Sequence, residues 1–352
     1  MGIENVWRIL VSKFDDLIGD LKKKYKSNIF TGDDIQSTSE ERLSTGSLAL
    51  DVETGGGLPF GRIVEMFGTE GSGKTTMALK IVACAQKLEI PTVWVDLEGA
   101  LDTEWAALLG VDLSKLIVMK PENGGQAADM IHIPVSSGGR GVIVFDSVAA
   151  IIDEKEKDKS IEDDSAKVGA RATIMSRLIP AVQAQLNSHD AESGWNSWLP
   201  IFINQVRDKI GIVYGNPETT PGGRSLPFYA SIRIRLSRGE YLEGEDSVGQ
   251  KAKIGHMIKF KTVKNRTAAP LKEGQIPFYF EGPMKGCIDV AEELIRYGVL
   301  YKLVELSGRT YNFEDLKAVG KANFAKELRE HPEIVEKLVI DIKKMARVYG
   351  SS

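Results

Sequence analysis

The spacing of hydrophobic positions changes along this chain, and each spacing predicts a different kind of element. Between residues 4 and 25 apolar side chains recur every three or four positions, which predicts an amphipathic helix. The middle of the chain carries four short apolar runs separated by helix-forming segments: 62–67, 92–95, 142–145 and 199–203. Such runs are typical of parallel strands with both faces buried, so we expect an α/β fold with a mostly parallel central sheet covered by helices.

The last third of the chain shows different patterns. Residues 232–237 and 258–261 alternate apolar with polar side chains, which predicts half-exposed strands added antiparallel to the sheet. From about residue 285 we expect a small C-terminal domain with helices at Val290–Tyr297, Phe313–Ala318, Ala322–Glu330 and Pro332–Val348. Two polar stretches, 153–167 and 207–227, have little to bury and are predicted to be loops.

The predicted N-terminal helix has two interpretations. A polar stretch, residues 32–41, separates it from the apolar runs that follow. Its apolar face either docks on the core of its own chain or is left for a neighbouring molecule.

A glycine-rich motif follows the first apolar run. It reads Gly68-Thr69-Glu70-Gly71-Ser72-Gly73-Lys74-Thr75-Thr76, and helix-forming residues come next. In this strand–loop–helix context the pattern predicts a nucleoside triphosphate site, in which loop N–H groups and the helix N-terminus contact the phosphates. Lys74 is expected to reach the β and γ phosphate oxygens, and Thr75 to ligate Mg²⁺.

Polar side chains follow the other three runs, at the sheet edge where ligands bind. Asp146 ends the third run and is predicted to hold Mg²⁺. Glu98 and Asp96 follow the second run; we favour Glu98 as the base that activates water, with Asp96 as the alternative. Gln205 ends the fourth run just before a glycine-rich segment, so loss of a γ-phosphate contact at this amide would reorder that segment.

Composition restricts the class of protein. There is no run of 18 apolar residues, and charged residues interrupt the N-terminus, so neither a membrane span nor a signal peptide is expected. The two cysteines and four histidines show no metal-binding spacing, which favours free thiols in the cytoplasm. The net charge of −4 argues against a nucleic-acid partner, unless the binding surface is local or built by several subunits.

Several stretches in one order resemble the RecA family of homologous-recombination ATPases, in its bacterial and bacteriophage branch. The resemblance runs from about Leu43 to Ala325. It rests on the glycine-rich motif and on Ser44–Asp51, Asp96–Asp102, Phe145–Ala150, Ile201–Arg207, Gly215–Thr220, Gly222–Gly223 and Val263–Arg266. It implies an N-terminal helix and strand for oligomerisation (1–37), a RecA-like ATPase core (38–283) and a small α/β C-terminal domain (284–352).

The resemblance also implies roles for single residues. Glu98 corresponds to the catalytic glutamate and Gln205 to a sensor of the γ-phosphate, while Asp102 and Trp105 fall where the family contacts adenine. Lys264 and Arg266 match a pair of cations that reaches the γ-phosphate bound to the adjacent subunit. Two DNA-binding loops are implied at about 155–171 and 206–227. Their candidate DNA contacts are Arg171, Arg177, Arg207, Lys209, Ile210, Gly211, Tyr214, Asn216, Gly222, Gly223 and Arg224.

The chain departs from the family pattern at several positions. Arg266 and Pro227 each stand where the family has a lysine, and Thr173 stands where it has an arginine in the first loop. The segment 187–198 looks inserted, and its tryptophans have no family role. The stretch 130–139 is a poor helix former where the family has a helix.

The implied activity is that of a DNA-dependent ATPase that uses ATP and Mg²⁺. Such a protein would form helical filaments on single-stranded DNA, pair it with homologous double-stranded DNA and exchange strands. A few cations per subunit, repeated along one axis, would reconcile DNA binding with the negative net charge. The alternatives are a hexameric helicase-type motor that closes into a ring and a degenerate DNA-binding paralogue with weak catalysis. A small-molecule phosphoryl transferase has less support, because no acceptor site is indicated.

Overall fold

The computed structural model describes residues 16–24, 41–151, 164–190, 194–208 and 218–350. Its strands are β1 (Arg42–Leu43), β2 (Leu58–Pro59), β3 (Val64–Gly68), β4 (Thr92–Asp96), β5 (Leu116–Met119), β6 (Arg140–Asp146), β7 (His189–Asp190), β8 (Gly194–Trp195), β9 (Ser197–Gln205), β10 (Arg207–Asp208), β11 (Glu218–Thr219), β12 (Ile232–Glu245), β13 (Lys251–Asn265), β14 (Glu273–Tyr279), β15 (Glu305–Ser307), β16 (Thr310–Phe313) and β17 (Leu316–Val319). Its helices are α1 (16–24), α2 (Leu48–Glu53), α3 (Lys74–Lys87), α4 (Thr103–Leu108), α5 (Gly124–Ser136), α6 (Asp164–Leu186), α7 (Ser225–Tyr229), α8 (Val290–Leu300), α9 (Lys321–Glu330) and α10 (Pro332–Gly350).

Eight strands form the central sheet, in the order β14-β13-β12-β3-β9-β6-β4-β5. The six strands from β12 to β5 run parallel to one another, and at one edge β13 pairs antiparallel with β12 and β14 pairs antiparallel with β13. The predicted α/β fold with a mostly parallel sheet is therefore confirmed. Because parallel strands end at the same edge, the polar residues that follow them are brought to one side of the sheet.

Both faces of β3, β4, β6 and β9 are buried, as the near-continuous apolar runs predict. Along β6, Val142 and Val144 face one apolar cluster, whereas Ile143 and Phe145 face a second. Successive side chains of a strand point to opposite faces, so an unbroken apolar run serves both clusters. Within the described ranges, no helix is both long and apolar enough to cross a membrane.

The C-terminal region combines three helices with a small sheet of the order β15-β16-β17. The predicted helix at Phe313–Ala318 is wrong, because this segment forms the turn between β16 and β17, where Phe313 pairs with Leu316. A helix of six residues would leave most of its backbone groups unpaired, whereas the antiparallel pairing satisfies them.

A carboxylate from α8 joins the C-terminal region to the core. Glu293 is buried and accepts hydrogen bonds from the Ser47 hydroxyl (2.6 Å) and the Leu48 N–H (2.7 Å) at the start of α2. Lys343 of α10 forms an ion pair of 2.7 Å with buried Asp51. The stretch Ser44–Asp51 thus provides a docking site for the C-terminal helices; the domain boundary at 283–284 stays a prediction.

The segment that looked inserted contacts the segment predicted to be a poor helix. Helix α5 continues to Ser136 although it contains Pro134. The Asn196 side chain donates to the carbonyl of Val135 (2.5 Å), and the Trp198 indole donates to the carbonyl of Gly138 (2.9 Å). These contacts satisfy carbonyls at the end of α5, which gives the region 187–198 a structural role.

Candidate active site

The glycine-rich motif forms the loop between β3 and α3, as expected. Gly71 and Gly73 adopt the left-handed backbone, with φ of 67° and 88°. A Cβ atom on Gly73 would lie 2.7 Å from Cδ1 of Ile258, and the left-handed backbone disfavours any other residue at this position. Because Gly73 is the N-cap of α3 and has no capping side chain, the first N–H groups of the helix remain available for an anion.

The ammonium of Lys74 lies across the mouth of this loop. Its Nζ donates to the carbonyls of Gly68 (3.2 Å) and Thr69 (2.7 Å). Burial lowers the pKa of Lys74, while the carboxylates of Asp146 and Glu98 favour its charged form. A phosphate at this place would add a further counter-charge for the lysine.

Thr75 and Asp146, the predicted Mg²⁺ ligands, are in direct contact. The Thr75 hydroxyl donates to a carboxylate oxygen of Asp146 at 3.2 Å. Burial, with the neighbouring charge of Glu98, raises the pKa of Asp146 to about 7. An oxygen pair beside buried negative charge fits a hard divalent cation, so the residues present suit Mg²⁺.

The two candidate bases, Asp96 and Glu98, have different partners. The Asp96 carboxylate accepts hydrogen bonds from the N–H groups of Ala100 (3.2 Å) and Leu101 (3.3 Å), so it orders the turn after β4. Glu98 is exposed, and its carboxylate accepts a hydrogen bond from the Ser147 hydroxyl. Sequence reasoning missed Ser147, whose only signal was its position directly after Asp146.

Gln205 lies next to the phosphate loop in the sheet. It pairs with Gly68 across β3 and β9, and the N–H of Val206 donates to the Gly68 carbonyl (3.2 Å). The preceding residue, Asn204, is buried and donates from its side chain to Glu65 (3.1 Å) and to the Pro221 carbonyl (3.0 Å). The end of β9 therefore touches both the phosphate-loop strand and the segment after β11.

Glu65 is a buried charge within the first apolar run. It has no exposed surface, and it accepts a hydrogen bond of 2.5 Å from Nε of Arg233 on the neighbouring strand β12. A lone acidic residue inside an apolar strand was the sequence signal for this pair, and it was overlooked. Its pairing with Arg233 and Asn204 compensates its burial.

Asp102 and Trp105 occur together at the start of α4. The Asp102 carboxylate caps the helix by accepting from the Trp105 N–H (3.0 Å). The Trp105 ring packs edge-on against Phe278, with centroids 6.0 Å apart. Their contact with adenine stays a prediction.

Lys264 and Arg266 lie at the other end of the sheet from the phosphate loop. In the strand register Lys264 lies opposite Arg233, and Arg233 lies opposite Glu65. Gly68, the first residue of the phosphate loop, is three residues beyond Glu65 on β3, which corresponds to about 10 Å along the strand. The Lys264 ammonium donates to the carbonyls of Pro227 (2.8 Å) and Phe228 (2.7 Å), and Arg266 also donates to Phe228 (3.1 Å). Neither cation is directed at the phosphate loop of its own chain.

The first predicted DNA loop is partly helical. Helix α6 begins at Asp164, so the prediction of a loop over 155–171 is wrong from residue 164 onward. Alanine, lysine and arginine in this stretch are good helix formers, and they extend a helix that Met175 and Ile179 anchor in the core. Arg171 donates to the carbonyl of Ile151 (3.3 Å), and Arg177 is exposed. Residues 152–163 lie outside the described part of the chain.

The second predicted DNA loop is closed at its base by β10 and β11. Arg207 pairs with Thr219 and Asp208 with Glu218. Arg207 and Arg224 are exposed on either side of the loop. Five candidate contacts lie outside the described residues: Lys209, Ile210, Gly211, Tyr214 and Asn216.

The paired glycines Gly222 and Gly223, within the second predicted loop, pack against helix α6. Gly222 has φ of 92°, and a Cβ atom on it would lie 2.8 Å from Cγ1 of Val148 and 3.2 Å from Cγ of Met175 on α6. A Cβ atom on Gly223 would lie 3.2 Å from Ala172. Gly222 thus packs against Val148, which follows the candidate metal ligand Asp146 by two residues. DNA contact by either glycine stays a prediction.

Comparison with known proteins agrees with this geometry. The RecA N-terminal domain family matches residues 13–285. Protein RecA of Aquifex aeolicus (strain VF5) is 37% identical over 340 residues, which cover 95% of this chain and 93% of that relative. The resemblance inferred from the motifs is confirmed. The chain therefore belongs to the RecA family, the DNA-dependent ATPases of homologous recombination and DNA repair.

Proposed function

We propose that this RecA-family ATPase hydrolyses ATP at the phosphate loop and uses the nucleotide to control its hold on single-stranded DNA. The observation that carries the proposal is the convergence of Lys74, Thr75, Asp146 and Glu98 at the start of α3. These side chains supply a cation for the phosphates, oxygen ligands and a carboxylate base at one helix N-terminus.

In the proposed hydrolysis each residue has one task. The N–H groups of the loop and Lys74 hold the phosphates. Mg²⁺ bound by Thr75 and Asp146 would neutralise charge on the phosphate oxygens. Glu98 orients a water and takes its proton, and the engagement of Asp96 with Ala100 and Leu101 supports this choice of base.

The γ-phosphate is sensed by Gln205 in this proposal. Its place beside Gly68 and directly before β10 supports the assignment. A contact between the amide and the γ-phosphate would hold the end of β9 in one position, and hydrolysis would release it. The base of the second DNA loop is two residues away, so this change reaches the loop directly.

ATP also links neighbouring subunits in this proposal. Lys264 and Arg266 lie too far from the phosphate loop of their own chain, which supports their action on the nucleotide of an adjacent subunit. Exposed apolar side chains are available for contact with a neighbour: Leu17 of α1 is 52% exposed, and Ile117 and Val118 of the edge strand β5 are 56% and 39% exposed. A head-to-tail contact that does not close gives a helical filament.

DNA binding rests on local cations. Among the described residues, Arg177, Arg207 and Arg224 are exposed, and Arg171 of α6 donates to the carbonyl of Ile151. Repeated along a filament, these cations would follow the phosphates of single-stranded DNA without reading its sequence. Base pairing with a homologous duplex then supplies selectivity during strand exchange. Since the substrate is cellular DNA, we place the protein in the cytoplasm.

Two variants test the proposal. Lys74→Ala should lose ATP binding and DNA-stimulated hydrolysis together, because the cation that faces the phosphates is gone. Glu98→Gln should bind ATP and DNA but hydrolyse ATP about 100-fold more slowly. Full DNA-stimulated turnover by Lys74→Ala would refute the site, and a normal rate in Glu98→Gln would assign the base to another residue. Electron microscopy with ATP and single-stranded DNA separates a filament from a closed ring.

A further inference from the structure

Arg235 of β12 holds Glu218 of β11 through two parallel hydrogen bonds. Its Nε donates to one carboxylate oxygen at 2.6 Å, and its Nη2 donates to the other. The two side chains are 31% and 21% exposed, so water only partly screens the pair. Two-point pairing of this kind fixes direction as well as distance.

The ion pair connects the sheet beside the phosphate loop with the base of the second DNA loop. Arg235 of β12 lies opposite Phe67 of β3, and Phe67 is the residue just before the phosphate loop. Glu218 pairs with Asp208 at the base of the second DNA loop. The pair therefore joins the returning end of that loop to the strand next to the phosphate-loop strand.

A second contact holds the same segment from the other side. Asn204 donates to the carbonyl of Pro221 at 3.0 Å and to Glu65 at 3.1 Å. Residues 218–221 are thus held between a side chain of β12 and a side chain of β9.

The pairing of β10 with β11 at the base of the second loop is too short to be stable without other contacts. It consists of the two residue pairs Arg207 with Thr219 and Asp208 with Glu218. An isolated two-stranded ladder is marginally stable in water. The side-chain contacts of Arg235 and Asn204 therefore attach residues 218–221 to the central sheet.

We propose that Arg235, through Glu218, positions the second loop for binding single-stranded DNA and couples that loop to ATP hydrolysis. This inference rests on the proposed function, in which the segment 206–227 contacts DNA. Arg235 is a positioning residue, since it lies on a strand of the central sheet and acts through Glu218. A partly exposed ion pair contributes little to global stability, so its loss should change DNA coupling more than folding.

Charge reversal tests the inference. Arg235→Glu places two carboxylates together, and the double variant Arg235→Glu/Glu218→Arg restores an ion pair with reversed polarity. We would measure binding of fluorescent oligothymidylate by anisotropy with a non-hydrolysable ATP analogue, and ATP hydrolysis with and without that DNA. Arg235→Glu should lower oligothymidylate affinity and DNA stimulation by about tenfold or more, with DNA-free hydrolysis within about twofold of wild type, and the double variant should recover most of the loss.

Each outcome decides one question. Wild-type DNA stimulation in Arg235→Glu, or a double variant no better than the single, would overturn the inference while leaving the proposed function intact. A wild-type protein without DNA stimulation would instead overturn the proposed function. If Arg235→Glu does not fold, Arg235→Gln, which removes the charge without repulsion, takes its place. A parallel fall in melting temperature and in both hydrolysis rates would mean that the pair is only structural.

Discussion

The hydroxyl of Ser147 donates a hydrogen bond to the carboxylate of Glu98, the proposed base. Ser147 is 1% exposed and follows Asp146 at the end of β6, whereas Glu98 is exposed on the turn after β4. The orientation of Glu98 is therefore set by a hydrogen bond to a buried neighbour of the metal site. Base and cation site belong to one assembly at the sheet edge.

Replacing Ser147 should impair turnover more than ATP binding. In Ser147→Ala the Glu98 carboxylate loses its donor, so we expect kcat for DNA-stimulated hydrolysis to fall about tenfold with KM for ATP unchanged. Ser147→Thr keeps the hydroxyl and should recover activity. An unchanged kcat in Ser147→Ala, at an unchanged melting temperature, would contradict this role.

Gly222 offers a test of the coupling between the second loop and α6. Gly222→Ala forces a methyl group to 2.8 Å from Val148 and 3.2 Å from Met175 of α6, in addition to the left-handed backbone cost of about 1 kcal/mol. Gly249→Ala is the matched control, because its φ is 80° and its Cβ position is open. We expect DNA stimulation to be lost in the first variant and kept in the second. Equal behaviour of the two in the hydrolysis assay would exclude a coupling role for this packing.

Lys264 predicts a pH dependence. Burial, with the charges of Arg266 and Arg233, lowers the pKa of Lys264 to about 8. The Lys264 side chain is therefore a cation below that pH and a neutral amine above it. Because the neutral amine cannot stabilise a γ-phosphate, DNA-stimulated hydrolysis should decline as pH rises past about 8. Because the folded pKa lies below the unfolded value of 10.5, the unfolded chain binds more protons between these values, and this group favours folding as pH rises through that window.

The matched variant for this prediction is Lys264→Arg. Arginine stays protonated, so its pH–rate profile should remain flat to about pH 9 while the wild-type profile falls. Lys326→Arg, at an exposed position of α9, serves as control and should follow the wild type. Parallel decline of all three profiles would show that another group titrates.

Glu293 should be important for stability. Glu293→Ala leaves the Ser47 hydroxyl and the Leu48 N–H without their acceptor at a buried helix start, so we expect a loss of about 3 kcal/mol in the free energy of unfolding. Urea denaturation measures this loss. Glu336→Ala, at an exposed position of α10, is the control and should change stability by less than about 0.5 kcal/mol. Equal stability of the two variants would show that α8 does not hold α2.

The sheet and the residues at its edge were predictable because both depend on local patterns. Continuous apolar runs specify strands buried on two faces, and parallel strands bring Glu98, Asp146 and Gln205 to one edge. The phosphate loop favours glycine where its backbone is left-handed, as at Gly71 and Gly73, and where a Cβ atom would meet the next strand, as at Gly68 beside Leu236.

Other features depend on contacts between distant segments. The turn between β16 and β17 competes with a short helix of similar composition, and the antiparallel pairing of these two strands, with β15 beside them, favours the hairpin. The ion pair of Arg235 with Glu218 and the hydrogen bond of Ser147 to Glu98 join residues that are not neighbours in sequence. The identity of one residue in each pair does not indicate which residue it contacts. Helix α6 extends into the predicted first loop because the apolar stripe near Met175 anchors the residues before it.

The most direct test of the account is the rate of ATP hydrolysis by the purified wild-type protein with and without single-stranded DNA. We predict a low rate without DNA that rises at least about tenfold when oligothymidylate is added, and no such rise in Lys74→Ala. A rate that does not respond to DNA, or a response that survives in Lys74→Ala, would contradict the claim that nucleotide at this loop governs DNA binding.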